Sequence, residues 1–478
     1  MKKLAITLLF IFSLTFLIGC KSNTEDQEGT KNEQPIFPAM LKGRVLSGSG
    51  DMLTAGIIIT YPNGDKERVI TNMLSGYILY LETGTYDLTF TRGIEYAEKT
   101  ITVEVENYKT YYLDDVRLEH LYDGASKGWY LGQLHQHTTY SDGKQDVDQV
   151  LLSNLSSGLH YGYLTDHNTA AGLPEWMQGS RFVTQYDASG DPIYFVPMRG
   201  VEITTDYGHF QSLGMGIILE QFNINTEKGD IPIDEIAEIA SEVSRSGALV
   251  TVNHPTASGE LGFYFWDIID LYDGIEIWNG LYVTNRNQNA TAKAKWFELL
   301  EEYRAGNLPF IAATSGADNH TITGYYTAEY ANRSNEEYAY EDDYLQRGRY
   351  SYMPSVAIHV DGELTTEAIT HAIKNGHSYL TNGPRIIATI GDIGYGETYS
   401  LGGSSTVDID FDLFSQDQIE QINIIKNGEV VKVITEGFDD LYHQFTTNLD
   451  DVAAGDWVVF EVIASNTAYA ITNPIFFS

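Results

Sequence analysis

The chain predicts a multidomain protein, an α/β barrel-type domain flanked by an N-terminal and a C-terminal β-sandwich. Three observations carry this. Residues 40–119 and 384–478 hold short alternating apolar segments punctuated by turn residues, the pattern of small antiparallel sandwiches. Residues 120–383 instead alternate strand-like runs with helical stretches, the pattern of a βα repeat. Within that middle region polar His, Asp and Asn motifs repeatedly follow an apolar run. In a (β/α) barrel the C-terminal strand ends share one face, so residues distant in sequence converge there.

At 478 residues with 43% apolar content, the chain is too long for one ordinary core and too apolar for a disordered protein. A formal charge of −37 argues against nucleic acid as a partner. Met1-Lys2-Lys3 and the apolar run Leu4 to Ile18 form a signal-like leader, too short to span a bilayer comfortably. The leader ends Leu17-Ile18-Gly19-Cys20, which resembles the bacterial lipoprotein lipobox. That resemblance implies cleavage after residues 1–19 and a lipid on Cys20, hence an extracytoplasmic protein anchored to the membrane. Cys20 is the only cysteine, which excludes an intramolecular disulfide. Residues 20–39 are mostly polar and read as a flexible tether.

In residues 40–119 the segments Leu41–Leu46, Gly56–Tyr61, Val69–Ile70, Tyr77–Leu81, Tyr86–Phe90, Thr100–Val105 and Tyr111–Leu118 read as strands, with Pro62-Asn63-Gly64-Asp65 as a hairpin turn. They resemble the carboxypeptidase-regulatory-like sandwich; a spacer or adhesion role is the default. In the middle region Trp129–Leu134, Tyr161–Thr165, Ile193–Val201, Ala248–Val252, Ile275–Trp278, Phe310–Ala313 and Val356–Val360 read as buried strands. Ile231–Ser246 reads as a helix with Ile236, Ile239, Ala240 and Val243 on one face, stopped by Gly247. Asn289–Arg304 and Thr365–Lys374 read likewise. Residues 321–353 lack a period and carry many tyrosines, consistent with a substrate wall or an acidic insertion. Beyond residue 384, Val407–Phe414, Gln421–Lys426, Val430–Ile434 and Trp457–Ser465 return to strand patterning.

The chemistry concentrates in the middle region. His135 and His137, two apart at a strand end, project from one face and can meet at one point, with Asp142 nearby. Thr165-Asp166-His167-Asn168, Gly200-Val-Glu202, Tyr207-Gly-His209, Asn253-His254-Pro255 and Asp318-Asn319-His320 follow. Six of the twelve histidines fall in these motifs. Imidazole mixed with carboxylate suits Zn, Mn or Fe rather than Ca, and the missing thiolates exclude a structural zinc knot. Asp166 and Asn253, beside ligand-type histidines, read as partners that fix imidazole tautomers. Asn168, Arg199, Asn279, Tyr282 and Arg286 are candidate substrate contacts. His120, His160, His359, His371, His377 and His443 lie off the motifs and read as ordinary surface or core histidines.

As a set, His-x-His-x-x-x-Ser-Asp-Gly, Thr-Asp-His-Asn, Gly-x-Glu, Asn-His-Pro and Asp-x-His resemble the PHP (polymerase and histidinol phosphatase) superfamily over roughly Leu121 to Thr381. Ile275-Glu-Ile-Trp-Asn279, Thr381-Asn-Gly-Pro384 and the Gly200–Phe210 stretch are similar to its carbaryl-hydrolase-like branch. The resemblance implies a distorted (β/α)7 PHP barrel with two or three divalent metal ions. It implies a first site of His135, His137, Glu202 and Asp318, with Glu202 bridging to a second metal on His254 and His209. A third set is Asp142, His167 and His320, with His320 and His167 near the leaving group. Gln211 stands where many phosphoesterase members carry the second-site histidine, so either His209 substitutes or that site is weak.

The expected activity is hydrolysis of a small-molecule or oligomeric phosphoester by metal-activated water. The alternatives are a carboxyl or carbamate ester hydrolase on the same centre, and a non-catalytic surface binding lipoprotein. The oligomeric state is left open.

Overall fold

The computed structural model describes residues 37–187, 189–214, 233–280, 288–326 and 354–478. Cys20, the leader, most of the tether, Tyr282, Arg286 and residues 327–353 of the Tyr-rich segment lie outside the described residues.

The N-terminal region is all β: β1 (Ala39–Ser47), β2 (Gly56–Thr60), β3 (Lys66–Ile70), β4 (Gly76–Leu81), β5 (Gly84–Thr91), β6 (Lys99–Val105), β7 (Thr110–Tyr112) and β8 (Val116–Leu118). The alternation in β4, with Tyr77, Leu79 and Leu81 buried and Ile78 and Tyr80 exposed, is that of a strand with one wet face. Two sheets share one buried cluster of Leu41, Val45, Ile57, Leu79, Leu88 and Phe90 among others. The Pro62–Asp65 turn is present, with Tyr61 N donating to Asp65 O at 2.8 Å and Gly64 at φ 87°.

The middle region follows with β9 (Trp129–Gln133), α1 (Val147–Ser156), β10 (Tyr161–Leu164), α2 (Leu173–Trp176), β11 (Val183–Tyr186), β12 (Pro192–Tyr194), β13 (Val196–Thr205), β14 (Gly208–Leu213), α3 (Ile233–Arg245), β15 (Leu249–Val252), β16 (Gly274–Asn279), α4 (Asn289–Arg304), β17 (Ala312–Gly316), β18 (Gly324–Tyr326), β19 (Ser355–His359), α5 (Thr366–Lys374) and β20 (Ser378–Thr381). Helix α3 buries Ile236, Ile239, Ala240 and Val243, the stripe its spacing predicts. Helix α5 is capped by the Thr365 side chain, which accepts from Ala368 N.

The sheet order β17-β16-β15-β14-β13-β10-β9-β19-β20 makes a curled α/β sheet, but two strands break the predicted βα repeat. β14 is antiparallel to both β13 and β15, because only two residues separate Thr205 from Gly208 and so short a link cannot join parallel strands. β19, the predicted Val356–Val360 strand, runs antiparallel to β9. Among the described strands the ladder ends at β17, and buried side-chain amides help to bridge the seam beyond it. Asn473 accepts from Ala313 N at 2.8 Å and donates to Ser378 Oγ at 2.9 Å, while Gln133 accepts from Ala317 N at 3.0 Å and donates to Pro354 O at 3.1 Å.

The C-terminal strands are β21 (Arg385–Thr389), β22 (Thr398–Tyr399), β23 (Val407–Phe414), β24 (Ile419–Lys426), β25 (Glu429–Ile434), β26 (Tyr442–Leu449), β27 (Trp457–Ala464), β28 (Tyr469–Thr472) and β29 (Ile475–Phe477). β21, β23 and β26 form one sheet. The other is no separate layer: β28 pairs with β20, so the curled sheet runs on through β27, β24 and β25.

His160 is fully buried, as a core histidine should be. Its Nδ1 accepts from Leu131 N at 3.2 Å, which leaves the ring proton on Nε2 facing Gln185 Oε1 at 3.2 Å. A second proton would collide with the Leu131 N–H, and burial pushes the imidazole down to about 4. The unfolded chain, with a histidine near 6.5, binds that proton first. Stability from this group is therefore complete above pH 6.5 and is lost as pH falls toward 4, by up to about 3 kcal/mol. Urea unfolding at pH 7 and 5 should show this slope flattened in His160→Gln, and an unchanged slope would contradict it.

Candidate metal centre

The motifs meet because most of their strands run the same way and the antiparallel one, β14, begins where β13 ends. His135 and His137 lie just past β9, His167 past β10, His254 past β15 and Asp318 past β17, with Glu202 within β13 and His209 on β14. All but His209 stand toward the C-terminal end of a parallel strand, where side chains need not pack against a neighbouring layer, and His209 opens the antiparallel β14, whose start pairs with the end of β13. Local pairing fixes the approach: His167 and Glu202 form a parallel bridge, and so do Gln136 and Asn319. His254 and Asp318 take positive φ values of 26° and 51°, a strained backbone that is common where function imposes geometry.

Glu202 is the hub. Its Oε2 lies 3.2 Å from His135 Nε2, 3.3 Å from His137 Nε2 and 2.9 Å from His167 Nδ1. Its Oε1 lies 3.1 Å from His209 Nδ1 and 3.3 Å from His254 Nε2. Asp318 Oδ1 is 3.1 Å from His135 Nε2 and 3.0 Å from His137 Nε2. On the outer side Asp142 Oδ1 is 3.1 Å from His320 Nε2 and 3.6 Å from His167 Nε2. The site is graded from dry to wet, with Glu202 and His135 at 0% exposure and Asp142 at 58%.

Among the described residues three groups have ligand atoms mutually within 4.8 Å: His135, His137, Glu202 and Asp318; His137, Asp142, His167 and His320; and His167, Glu202 and His209. His254 reaches Glu202 without joining a group. His209, rather than Gln211, faces the hub; Gln211 sits beside Thr251 instead.

A buried carboxylate ringed by imidazoles needs positive charge. Burial raises the Glu202 carboxyl, but His135, His167 and His209 outweigh it and hold it well below the usual range. Burial likewise pushes His135 down, yet Asp318, Glu202 and Glu276 carry it well above an ordinary histidine. Glu202 lifts the less buried His167 to about 9 against its desolvation. His135 Nε2 and Glu202 Oε2 are buried without a hydrogen bond and face the same space. Orphaned donors of this kind, with imidazole and carboxylate mixed and thiolate absent, fit a divalent transition metal.

The supporting residues differ from the sequence expectation. Asn253 donates to Glu202 Oε1 at 2.8 Å, so it braces the carboxylate and no imidazole. Asp166 accepts from Thr138 N, Thr138 Oγ1 and Ser141 Oγ, each at 2.7 Å, and so holds the loop that carries Asp142. Asn168 exchanges both amide groups with the Thr204 backbone, a clamp between strand ends. Asn279 donates to Glu276 Oε2 at 2.9 Å and Asp318 Oδ2 at 3.3 Å, which commits it to the ligand carboxylates. Arg199 lies three residues before Glu202, on the opposite strand face, and lines a separate cavity with Met177, Ser244 and Lys374.

Glu276 escaped the sequence reading. It is buried, its Oε1 lies 3.1 Å from His135 Nδ1, and its Oε2 accepts from His254 N at 2.8 Å. It thereby puts the proton on His135 Nδ1 and aims the Nε2 lone pair at the hub. Glu276→Gln should weaken metal affinity about 10- to 100-fold. Competition against a chelator measures this, and wild-type affinity would refute the role.

No protein-family model matches the chain, and no curated protein matches it. Solved structures do. One is a two-domain protein from Bacteroides vulgatus described as containing a predicted PHP-like metal-dependent phosphoesterase, at 14% identity and a TM-score of 0.35, over 72% of this chain and 95% of that one. PsfC from Pseudomonas syringae matches at 13% identity and a TM-score of 0.32, over 52% and 90%. An amidohydrolase from Chromobacterium violaceum matches at 17% identity and a TM-score of 0.26, over 40% and 87%.

Proposed function

We propose that the chain is a metal-dependent phosphoesterase of the PHP type, carried outside the cytoplasm on a lipid at Cys20. The observation that supports the activity is the convergence of five imidazoles on one buried carboxylate, Glu202, beside Asp318. His135, His137, Glu202 and Asp318 would hold the first cation, Glu202 with His209 and His254 the second, and Asp142, His167 and His320 a third. Bound Zn, Mn or Fe would supply positive charge for the phosphoryl oxygens and lower the pKa of a water to the neutral range.

The chain's own residues do the rest. Glu276, Asn253 and Asn279 fix the inner donors so that none must reorganise when substrate arrives. With the inner set filled and the outer one empty, His167 and His320 stand at the open edge, both facing Asp142 Oδ1. There an imidazole beside the carboxylate can pass a proton to a leaving oxygen.

The test uses a soluble form starting at residue 38, loaded separately with Mn²⁺ and Zn²⁺ and given bis-p-nitrophenyl phosphate. Nitrophenol release abolished by chelator supports a phosphodiesterase. Metal binding without release, but with turnover of an aryl carbamate, moves the attack from phosphorus to carbon. Neither metal nor turnover leaves a binding lipoprotein. The anchor rests on Leu17-Ile18-Gly19-Cys20 alone, and failure of Cys20→Ser to abolish fatty-acid labelling would refute it.

A further inference from the structure

The arm that carries Asp318 and His320 does not stay on the barrel. Asp318 N donates to His135 O at 2.9 Å and His137 N donates to Asn319 O at 3.1 Å, so the arm leaves β17 pinned to the end of β9. Ile322 is then buried in the core cluster shared with α1. The next residues, β18, pair antiparallel with β3 of the N-terminal region: Gly324 with Arg68, Tyr325 with Glu67 and Tyr326 with Lys66. Among the described residues β3 is otherwise paired only to β2, so β18 covers what would be an open edge.

The loop that bears Asp142 is tied to the same arm. Lys144 N donates to His320 O at 2.7 Å, and Ile322 N donates to Gln145 Oε1 at 3.0 Å. The exposed half of the centre, Asp142 with His320, is therefore built from two loops bonded to each other, and one of them is anchored on another region's sheet. The inner ligands His135, Glu202 and His254 sit on strands of the curled sheet or directly past them, and Asp318, though it begins the arm, is pinned to His135 O two residues past β17.

We infer that the N-terminal β region is a positioning element of the metal centre, holding the outer ligands Asp142 and His320 in place through strand addition of residues 324–326 to β3. This rests on the metal-centre reading above. It replaces the default of a spacer, and it orders the sites: the outer metal depends on the β3–β18 ladder and the inner one does not.

The pairing that forms the anchor is a backbone ladder, and that allows a clean test. In an antiparallel pair alternate residues point their N–H at the partner, so proline at 325 or at 326 removes one ladder donor. Alanine at the same positions keeps both. In the full folded chain, Tyr325→Pro and Tyr326→Pro are made singly, with Tyr325→Ala and Tyr326→Ala as controls. Bound Mn²⁺ and Zn²⁺ are counted after equilibration with a metal buffer.

One proline variant should bind its outermost metal at least about 10-fold more weakly while the inner equivalent stays at wild-type affinity. The alanine variants should bind as wild type. Two proline variants with wild-type metal content would overturn the inference. A wild-type chain that binds no metal would overturn the metal-centre reading instead, so the two failures are distinct. If both proline variants misfold, hydrogen exchange on the wild type decides. Linkage requires metal loading to slow exchange of the amides of residues 324–326, and unaltered rates there would overturn the anchor.

Discussion

Alanine at both His135 and His137 should lower metal-dependent phosphodiester turnover at least about a thousand-fold, a loss of about 4 kcal/mol of transition-state stabilisation. These two imidazoles are half of the inner donor set, and each lies within 3.3 Å of both Glu202 and Asp318. Without them the two carboxylates remain as a like-charged pair with too few neutral donors to fix a transition metal. Bound metal per chain should fall together with turnover. His371→Ala, on the exposed last turn of α5, serves as the control and should stay within about twofold of wild type. Wild-type turnover in the double variant would remove the proposed function entirely.

How far the sequence reached can be traced to what local patterns encode. His135 and His137 were legible because a strand repeats every two residues, and each later motif closed an apolar run. Strand direction has no such local signature: Val356–Val360 is a good strand whichever way it runs, and β14 turned antiparallel because of a two-residue link. The same parity that paired His135 with His137 places Arg199 on the face opposite Glu202, a signal present in the sequence but unused. Glu276 was harder. In Gly274-Ile-Glu-Ile-Trp-Asn279 a carboxylate flanked by isoleucines looks like the polar half of an alternating strand. Only the fold puts it against His135, 141 positions away. The β3–β18 ladder is harder still, since strand addition between regions depends on an open edge that no single segment reveals.

Arg385→Met should destabilise the fold by about 3–5 kcal/mol, the cost of leaving a buried carboxylate without its cation. Arg385 opens β21 with its side chain fully buried, and its Nη2 lies 3.1 Å from Glu95 Oε1. Its guanidinium also stands 5.5 Å from the centre of the Tyr122 ring and 5.6 Å from that of Tyr379. These partners come from three places: Glu95 follows β5, Tyr122 lies on the link into the barrel, and Tyr379 is on β20. One residue thus ties the N-terminal sheets, the barrel sheet and the C-terminal strands together. Burial raises the Glu95 carboxyl, but Arg385 together with His120 and His160 outweighs it and the net shift is downward. In the wild type, stability from Glu95 is therefore present above its unfolded pKa and fades as pH falls through the carboxylate range. In the variant burial is opposed by His120 and His160 without the guanidinium, so the carboxyl moves upward and protonation relieves it. The penalty of Arg385→Met should accordingly shrink between pH 7 and 4.5, and Glu95→Gln added to it should recover stability at pH 7. Urea unfolding of the four members of this cycle at both pH values measures the coupling directly. A single variant within about 1 kcal/mol of wild type at pH 7 would show that the Arg385–Glu95 pair does not hold the three regions together.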